Sequence, residues 1–404
     1  MSVPPSISRP TRRTRIVCIS DTHNSTVKLP KGDVLIHAGD LTNQGSYSEL
    51  SRAVQWLEKA AFEAKIVIAG NHDITLDPEF YSKHGSSFHN QDPQDPARCS
   101  SLLSSSRTIT YLQHGSATIR LTDPRGPGTE FTVFGSPYSP RFGTWAFMYD
   151  RPDQASESSV ALATNHNAAE LWAAIPLNVD ILVTHTPAFA YCDDTLGCRD
   201  LRLALARVRP RLHVCGHVHQ ARGAERVRWN LHGSGIENDE NPEASVESWE
   251  DPNPDPASAK ISLVDLTARG GNRPLDFHDL AASAGAQAIS GISGLLNTAS
   301  QVSCIPSFQG LEPLDGVGVS GGLTEREDSV GSYISPSRAS VLDNAVREPA
   351  VDPRITMRQE PMARLGRRET CVINCAIVAT GWPHVGGKRF NKPIVVDLDL
   401  PVWG

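Results

Sequence analysis

From Thr14 to about Trp229, short apolar, β-branched runs alternate with segments of helical periodicity, the pattern of a layered α/β domain. The runs that predict strands are Arg15–Ser20, Val34–Ala38, Ile66–Ala69, Thr118–Leu121, Phe131–Gly135, Ile181–Thr184 and Leu212–Cys215. Several are unbroken in apolar residues, as strands covered on both faces are. Ser48–Ala64 places Leu50, Val54, Leu57 and Ala61 on one helical face, and Arg199–Val208 reads as a second helix with a basic outer side.

Beyond Trp229 the texture changes to an acidic, Pro-rich tract, 237–256, followed by a strand-like run at Ile261–Leu266. Residues 267–368 are rich in Gly, Ser, Ala and Pro and lack periodicity, so they read as a solvated insertion that buries too little apolar area to offset the entropy of ordering. Apolar runs return at Cys371–Ala379 and Pro393–Leu398. They are expected to complete the main sheet rather than stand as a separate hairpin, which would be marginal in water. The organisation that follows is a basic arm (1–13), a main domain (14–266), the insertion (267–368) and returning strands (369–404).

The chain has 404 residues with 39% hydrophobic and 21% charged positions, which excludes a fully disordered or collagen-like protein. No apolar run approaches the ~18 residues of a membrane span. Arg9, Arg12, Arg13 and Arg15 crowd a start without an apolar stretch, so a cytoplasmic protein with no secretory signal is the expectation. The formal net charge of −7 is local, because Glu237, Asp239, Glu240, Glu243, Glu247, Glu250, Asp251 and Asp255 fall in a tract without Lys or Arg. The remainder is near neutral and carries no strong nucleic-acid signal. Eight cysteines without zinc-ribbon spacing read as reduced, structural thiols.

The chemistry lies at the strand ends. Asp21 and His23 follow the first strand, Asp40 the second, Asn71 and His72 the third; His185 follows Ile181–Thr184, and His217 and His219 follow Leu212–Cys215. In open α/β sheets the carboxyl ends of strands border the ligand crevice, so donors far apart in sequence converge there. Carboxylate, imidazole and amide oxygen, with no sulfur, suit divalent cations of hard to borderline character.

Ser20-Asp21-Thr22-His23, Gly39-Asp40, Gly70-Asn71-His72-Asp73, Thr184-His185-Thr186-Pro187 and Gly216-His217-Val218-His219 resemble, in order, the five motifs of the calcineurin-like metallophosphoesterase superfamily. Gly135-Ser136-Pro137-Tyr138, the segment Phe142–Phe147, Gly197-Cys198-Arg199, Ile373-Asn374-Cys375-Ala376 and Asn391-Lys392-Pro393-Ile394 resemble its branch of small metallophosphoesterase-domain proteins that includes the brain-expressed vertebrate pair. The resemblance implies a four-layer α/β/β/α sandwich with two mixed sheets. It implies two divalent metal ions, manganese first and iron or zinc next, held by Asp21, His23 and His219 on one side and Asn71, His185 and His217 on the other, with Asp40 bridging. A hydroxide between the ions would attack phosphorus in line, His72 would protonate the leaving oxygen, and Asp73 would orient His72. Within that branch the position of His217 can be glycine.

The implied substrate is a small phosphodiester such as a cyclic nucleotide. The rival readings are a phosphomonoesterase or Ser/Thr protein phosphatase and, from another class, a metal-binding scaffold with vestigial turnover; the insertion's partner is unassigned. His37, His114, His213, Asp33 and Asn374 read as structural residues. Tyr138, Phe142, Trp145 and Phe147 are either a wall that stacks on a substrate ring or plain core, and Arg141 and Arg199 are either phosphate clamps or ordinary ion-pair partners.

Overall fold

Alternation within single strands divides the apolar residues between two cores. In β1 (Thr11–Ile19), Ile16 and Cys18 face one way and Val17 and Ile19 the other, and all four are fully buried. A strand buried on both faces must lie inside a stack of layers. The computed structural model, which describes residues 10–150, 167–230, 242–274, 367–380 and 386–403, shows that stack.

One six-stranded sheet runs in the order β13 (Ser262–Leu266), β15 (Ile394–Pro401), β1, β2 (Val34–Ala38), β3 (Ala64–Ile68), β4 (Thr110–Tyr111). Only the β1–β15 pair is antiparallel. A seven-stranded sheet runs β12 (Glu243–Ser248), β11 (Gly223–Trp229), β14 (Glu369–Asn374), β10 (Leu212–Cys215), β9 (Ile181–Thr184), β6 (Glu130–Ser136), β5 (Gly115–Arg120), with parallel strands from β14 to β6. A short parallel pair, β7 (Ser139–Pro140) with β8 (Met148–Tyr149), closes the loop that carries Phe142 and Trp145. Ile16, Ile36 and Ile66 of the first sheet meet Val133, Val183 and Val214 of the second in the inner core. Outside the first sheet, α1 (Tyr47–Lys59) and α3 (Pro96–Ser104) cover Val17, Leu35 and Val67; outside the second, α4 (Ala168–Ala173) and α5 (Arg199–Val208) cover Leu182, Cys215 and Val372. The architecture is the expected α/β/β/α sandwich with two mixed sheets.

The returning strands separate. β14 enters the second sheet between β10 and β11, whereas β15 enters the first between β13 and β1. Arg15 clamps β15 through two 2.7 Å bonds to Asp397, and Glu369 at the start of β14 takes Arg226 and Arg228 of β11. The expected insertion lies for the most part, at 275–366, outside the described residues.

Several local expectations shift. The first helix ends at Lys59 rather than Ala64, because the chain turns at Ala60 and Glu63 N–H donates to Asp33, so that Ala64 already pairs with Val34 in β3. Its start is fixed by a Ser46/Glu49 capping box, which stabilises such a terminus by about 1 kcal/mol. α2 (Pro78–Phe88) and α3 were not expected from periodicity, yet each opens with an Asp N-cap followed by proline. Part of the acidic tract is an edge strand: β12 pairs with β11, and its Glu243 accepts both arms of Arg202 at 2.8 and 2.7 Å. A charged edge of this kind resists further pairing. Among the described residues no helix is long and apolar enough to cross a membrane.

Candidate metal centre

The carboxyl ends of β1, β2, β3, β9 and β10 meet at one end of the sandwich, stitched by backbone bonds. Asp21 N–H donates to Gly39, His23 N–H to Asp40, Gly216 N–H to His185 and His185 N–H to Ser136. Asp21, His23, Asp40 and His217 all adopt left-handed backbone conformations, with φ of 53, 42, 55 and 68°, so each strand end hooks sharply into the crevice. Gly70 and Gly216 are required by space: a Cβ at the first would overlap the Asp40 carboxylate, and at the second the Asp21 carboxylate.

The donors form three overlapping groups whose ligand atoms lie within 4.8 Å of one another: Asp21 with His23 and His219, His23 with Asp40 and His72, and Asp21 with Asp40 and His185. Asp40 belongs to two of them. Asn71 Oδ1 lies 3.0 Å from His185 Nε2. His217 enters none of the three groups; its backbone N–H donates to both oxygens of Asp21, at 3.1 and 2.9 Å, and its ring meets His185 edge-on at 4.9 Å. The structure therefore brings together every expected position, with His217 at the margin and His72 nearer the cluster than expected.

The donor set fits divalent ions. His23, His185 and His219 each set Nδ1 against a backbone carbonyl, of Thr42 at 3.2 Å, Ala38 at 2.9 Å and Thr380 at 3.2 Å. A carbonyl only accepts, so Nδ1 carries the hydrogen and a neutral ring turns its Nε2 lone pair into the cluster. There acceptor meets acceptor: His23 Nε2 is 3.2 Å from His219 Nε2 and 3.6 Å from Asp40 Oδ2, and His185 Nε2 is 3.3 Å from Asp40 Oδ2. A cation satisfies that arrangement, and a carbonyl fixing the far nitrogen is the habitual support of a metal-binding histidine.

The same crowding of buried charge perturbs the protonation equilibria. Where protons rather than a cation occupy the Nε2 positions, burial would raise the Asp21 carboxyl, but the bond from protonated His219 and the charges of His219 and His185 hold it well below the usual carboxylate range. Asp40 is likewise held far down against burial, chiefly by His185. Burial would lower His185, yet Asp40 raises it to about 9. His23 and His217, less compensated, are pushed down by burial to about 4 and about 3.

Asp73 makes no side-chain hydrogen bond to His72. Its buried carboxylate accepts from Thr42 N–H at 3.0 Å, Thr42 Oγ1 at 2.6 Å, Leu41 N–H at 3.2 Å and Gly70 N–H at 2.9 Å, bracing the Asp40 loop to the Asn71 loop. His72 is held instead by the Asn43 carbonyl at 2.8 Å from Nδ1, by its own N–H on Asp40 Oδ1 at 2.8 Å, and by Trp145, whose ring centroid is 3.9 Å away. Asn43 and Thr380 act through backbone oxygens and leave no signal in side-chain patterns.

Asn374 is structural: its amide donates to the carbonyls of Cys192 and Val218 at 3.0 Å each, fixing the loop between His217 and His219. His37 pairs with Thr22, His114 with Ser136 and His213 with Thr184. Asp33 accepts from Arg15 N–H at the entry to β2. Arg141 pairs with Asp150 and Arg199 lies 4.4 Å over the Phe189 ring, and neither borders the cavity that contains the donor cluster. The aromatic cluster divides. Phe147 is core and Tyr138 packs edge-on against it, while Phe142 and Trp145 border a cavity of about 830 Å³ that also contains His23, Asp40, Asn71, His72, His217 and His219.

The family model described as "Calcineurin-like phosphoesterase" matches residues 14–221. A protein of Emericella nidulans named "Probable rhamnogalacturonate lyase C" is 41% identical over 220 residues, covering 54% of this chain and 18% of that protein. Human "Metallophosphoesterase domain-containing protein 1" is 36% identical over 237 residues, covering 55% of this chain and 65% of its own length. The chain thus spans less than two thirds of the length of these two relatives. Among solved structures, a Thermus thermophilus protein and the purple acid phosphatase of yellow lupin seeds align at TM-scores of 0.30 and 0.29. Their identities are 11% and 12%, over 51% and 55% of this chain and 82% and 40% of theirs.

Proposed function

The chain belongs to the calcineurin-like phosphoesterase family, and from that premise we propose that it hydrolyses a small phosphodiester, such as a cyclic nucleotide, with two divalent metal ions, manganese foremost. The observation that carries the reading is the set of three imidazoles, each fixed at Nδ1 by a carbonyl, with Nε2 of His23 and His185 aimed at the buried carboxylate of Asp40 and that of His219 at Asp21. Asp21, His23 and His219 would hold one ion, Asn71, His185 and His217 the other, and Asp40 would serve both. Such a pair, when bound, supplies Lewis-acid polarisation of phosphoryl oxygens and a water acidified toward neutral pH.

The chain's own groups supply the rest. The Asn43 carbonyl takes the Nδ1 hydrogen of His72, so that the doubly protonated ring would offer its Nε2 hydrogen to the departing ester oxygen. Trp145, stacked on the ring, keeps His72 from swinging away. Asp73 holds the Asp40 and Asn71 loops in register. A diester is favoured over a monoester because Lys388 is the only lysine or arginine lining the cavity among the described residues, and a dianionic phosphate calls for the bidentate grip of arginine.

Manganese reconstitution followed by elemental analysis and a panel of nitrophenyl mono- and diesters tests the reading. About two ions per chain and faster turnover of diesters are expected. Preference for monoesters would favour a phosphatase, and retention of metal with no turnover would favour a scaffold; either would overturn the proposal.

A further inference from the structure

One part of the cavity lining is apolar and exposed. Phe142 is 79% exposed, the highest value among large hydrophobic residues of the described chain, and Leu196 is 45% exposed. Both border the same cavity, together with Trp145, Met148 and Pro140. Phe142 is carried on a loop whose conformation is set: its N–H contacts the Met148 sulfur at 3.3 Å, Ser139 N–H donates to Phe147, and Phe147 N–H donates to Asp77 at 2.9 Å. The wall is continuous with the donor cluster through ring contacts, edge-on from His23 to His72 at 4.8 Å and tilted from His72 to Trp145 at 3.9 Å. Holding a large ring in water on a fixed loop costs hydrophobic free energy, which a planar apolar ligand would recover.

We propose that Phe142, Met148 and Leu196, flanking Trp145, form a subsite for a planar aromatic ring of the ester, so that the centre selects aryl- or nucleobase-bearing phosphodiesters over alkyl ones. This rests on the phosphoesterase reading above. Phe142 and Leu196 act through apolar contact with the ring, and discrimination comes from binding.

Calorimetric titration of the manganese-loaded full chain with the monomethyl esters of phenylphosphonate and of methylphosphonate compares one monoanionic, diester-like headgroup with and without a ring. The phenyl compound should bind about tenfold tighter. That ratio should fall to about threefold or less in Phe142→Ala and, separately, in Leu196→Ala, neither of which empties the core. A second pair, a nucleoside 5′-methylphosphonate ester against the 5-methylphosphonate ester of ribose, separates the two sources of the ring. A Phe142-dependent ratio in this pair assigns the subsite to a base, and a ratio confined to the phenyl pair assigns it to simple aryl esters. Equal affinities for the two phosphonates, or a ratio unmoved in both variants, overturns the subsite while the phosphoesterase reading stands. Binding of neither phosphonate overturns the subsite, and if nitrophenyl esters are not turned over either, the phosphoesterase reading falls with it.

Discussion

Replacing Asp73 by asparagine separates a residue that braces the site from one that tunes the neighbouring histidine. The two carboxylate oxygens divide their work: Oδ1 takes Thr42 N–H and Oγ1, and Oδ2 takes Leu41 N–H and Gly70 N–H. An asparagine can present an oxygen to one pair only. Its NH2 then faces the donors of the other pair, either the N–H groups of Leu41 and Gly70 or the N–H and hydroxyl of Thr42, in a place with no access to water. Loss of two charge-assisted bonds, partly offset by no longer burying a charge, gives a destabilisation of about 3 kcal/mol. Urea denaturation in EDTA measures it without contribution from metal, and a manganese titration of the same variant should show weakened binding, because the Asp40 and Asn71 loops are no longer pinned together. An Asp73→Asn protein with wild-type unfolding free energy and metal affinity but a reduced kcat would refute the bracing role and restore one directed at His72.

Asp40→Asn removes the carboxylate shared by two donor groups, so metal content by elemental analysis should drop by about half or more while circular dichroism is unchanged; full occupancy would exclude Asp40 as a shared ligand. His217→Gly should keep its stability, because a backbone φ of 68° suits glycine and the N–H bonds to Asp21 survive, but should lose roughly tenfold in affinity for one of two ions; unchanged stoichiometry at low manganese would remove the imidazole from the ligand set. Burial pushes His213 down to about 3 from its ordinary value, so the folded protein binds fewer protons than the unfolded chain between pH 6.5 and 3. The stability associated with its neutral form is complete above that window and declines as pH falls, by about 3 kcal/mol at pH 4.5, and His213→Leu should flatten that part of the pH profile; an unaltered slope would place the proton elsewhere.

The local pattern of the chain was enough to place the central strands, because strands buried on both faces have to be apolar throughout: β2, β9 and β10 and the helix α5 occupy the residues that periodicity assigns them. It also set the donors at strand ends, since Asp21, Asp40, Asn71, His185 and His219 each follow an apolar run directly or through a short hook. What the sequence left undecided depends on contacts between distant segments. The edge strand β12 is stabilised by backbone pairing to β11 and by Arg202, neither of which an acidic stretch announces. That β14 and β15 part to different sheets follows from which open edges remain once the other strands have paired. Asp73 reads as a neighbour of His72 because the two are adjacent in sequence, but the three-dimensional hook turns its carboxylate toward Thr42 and Gly70 instead. The support of His72 by Asn43 and of His219 by Thr380 uses carbonyl groups that every residue possesses. Side-chain chemistry is written in the sequence, whereas the backbone donors and acceptors that orient it acquire identity only when the chain is folded around them.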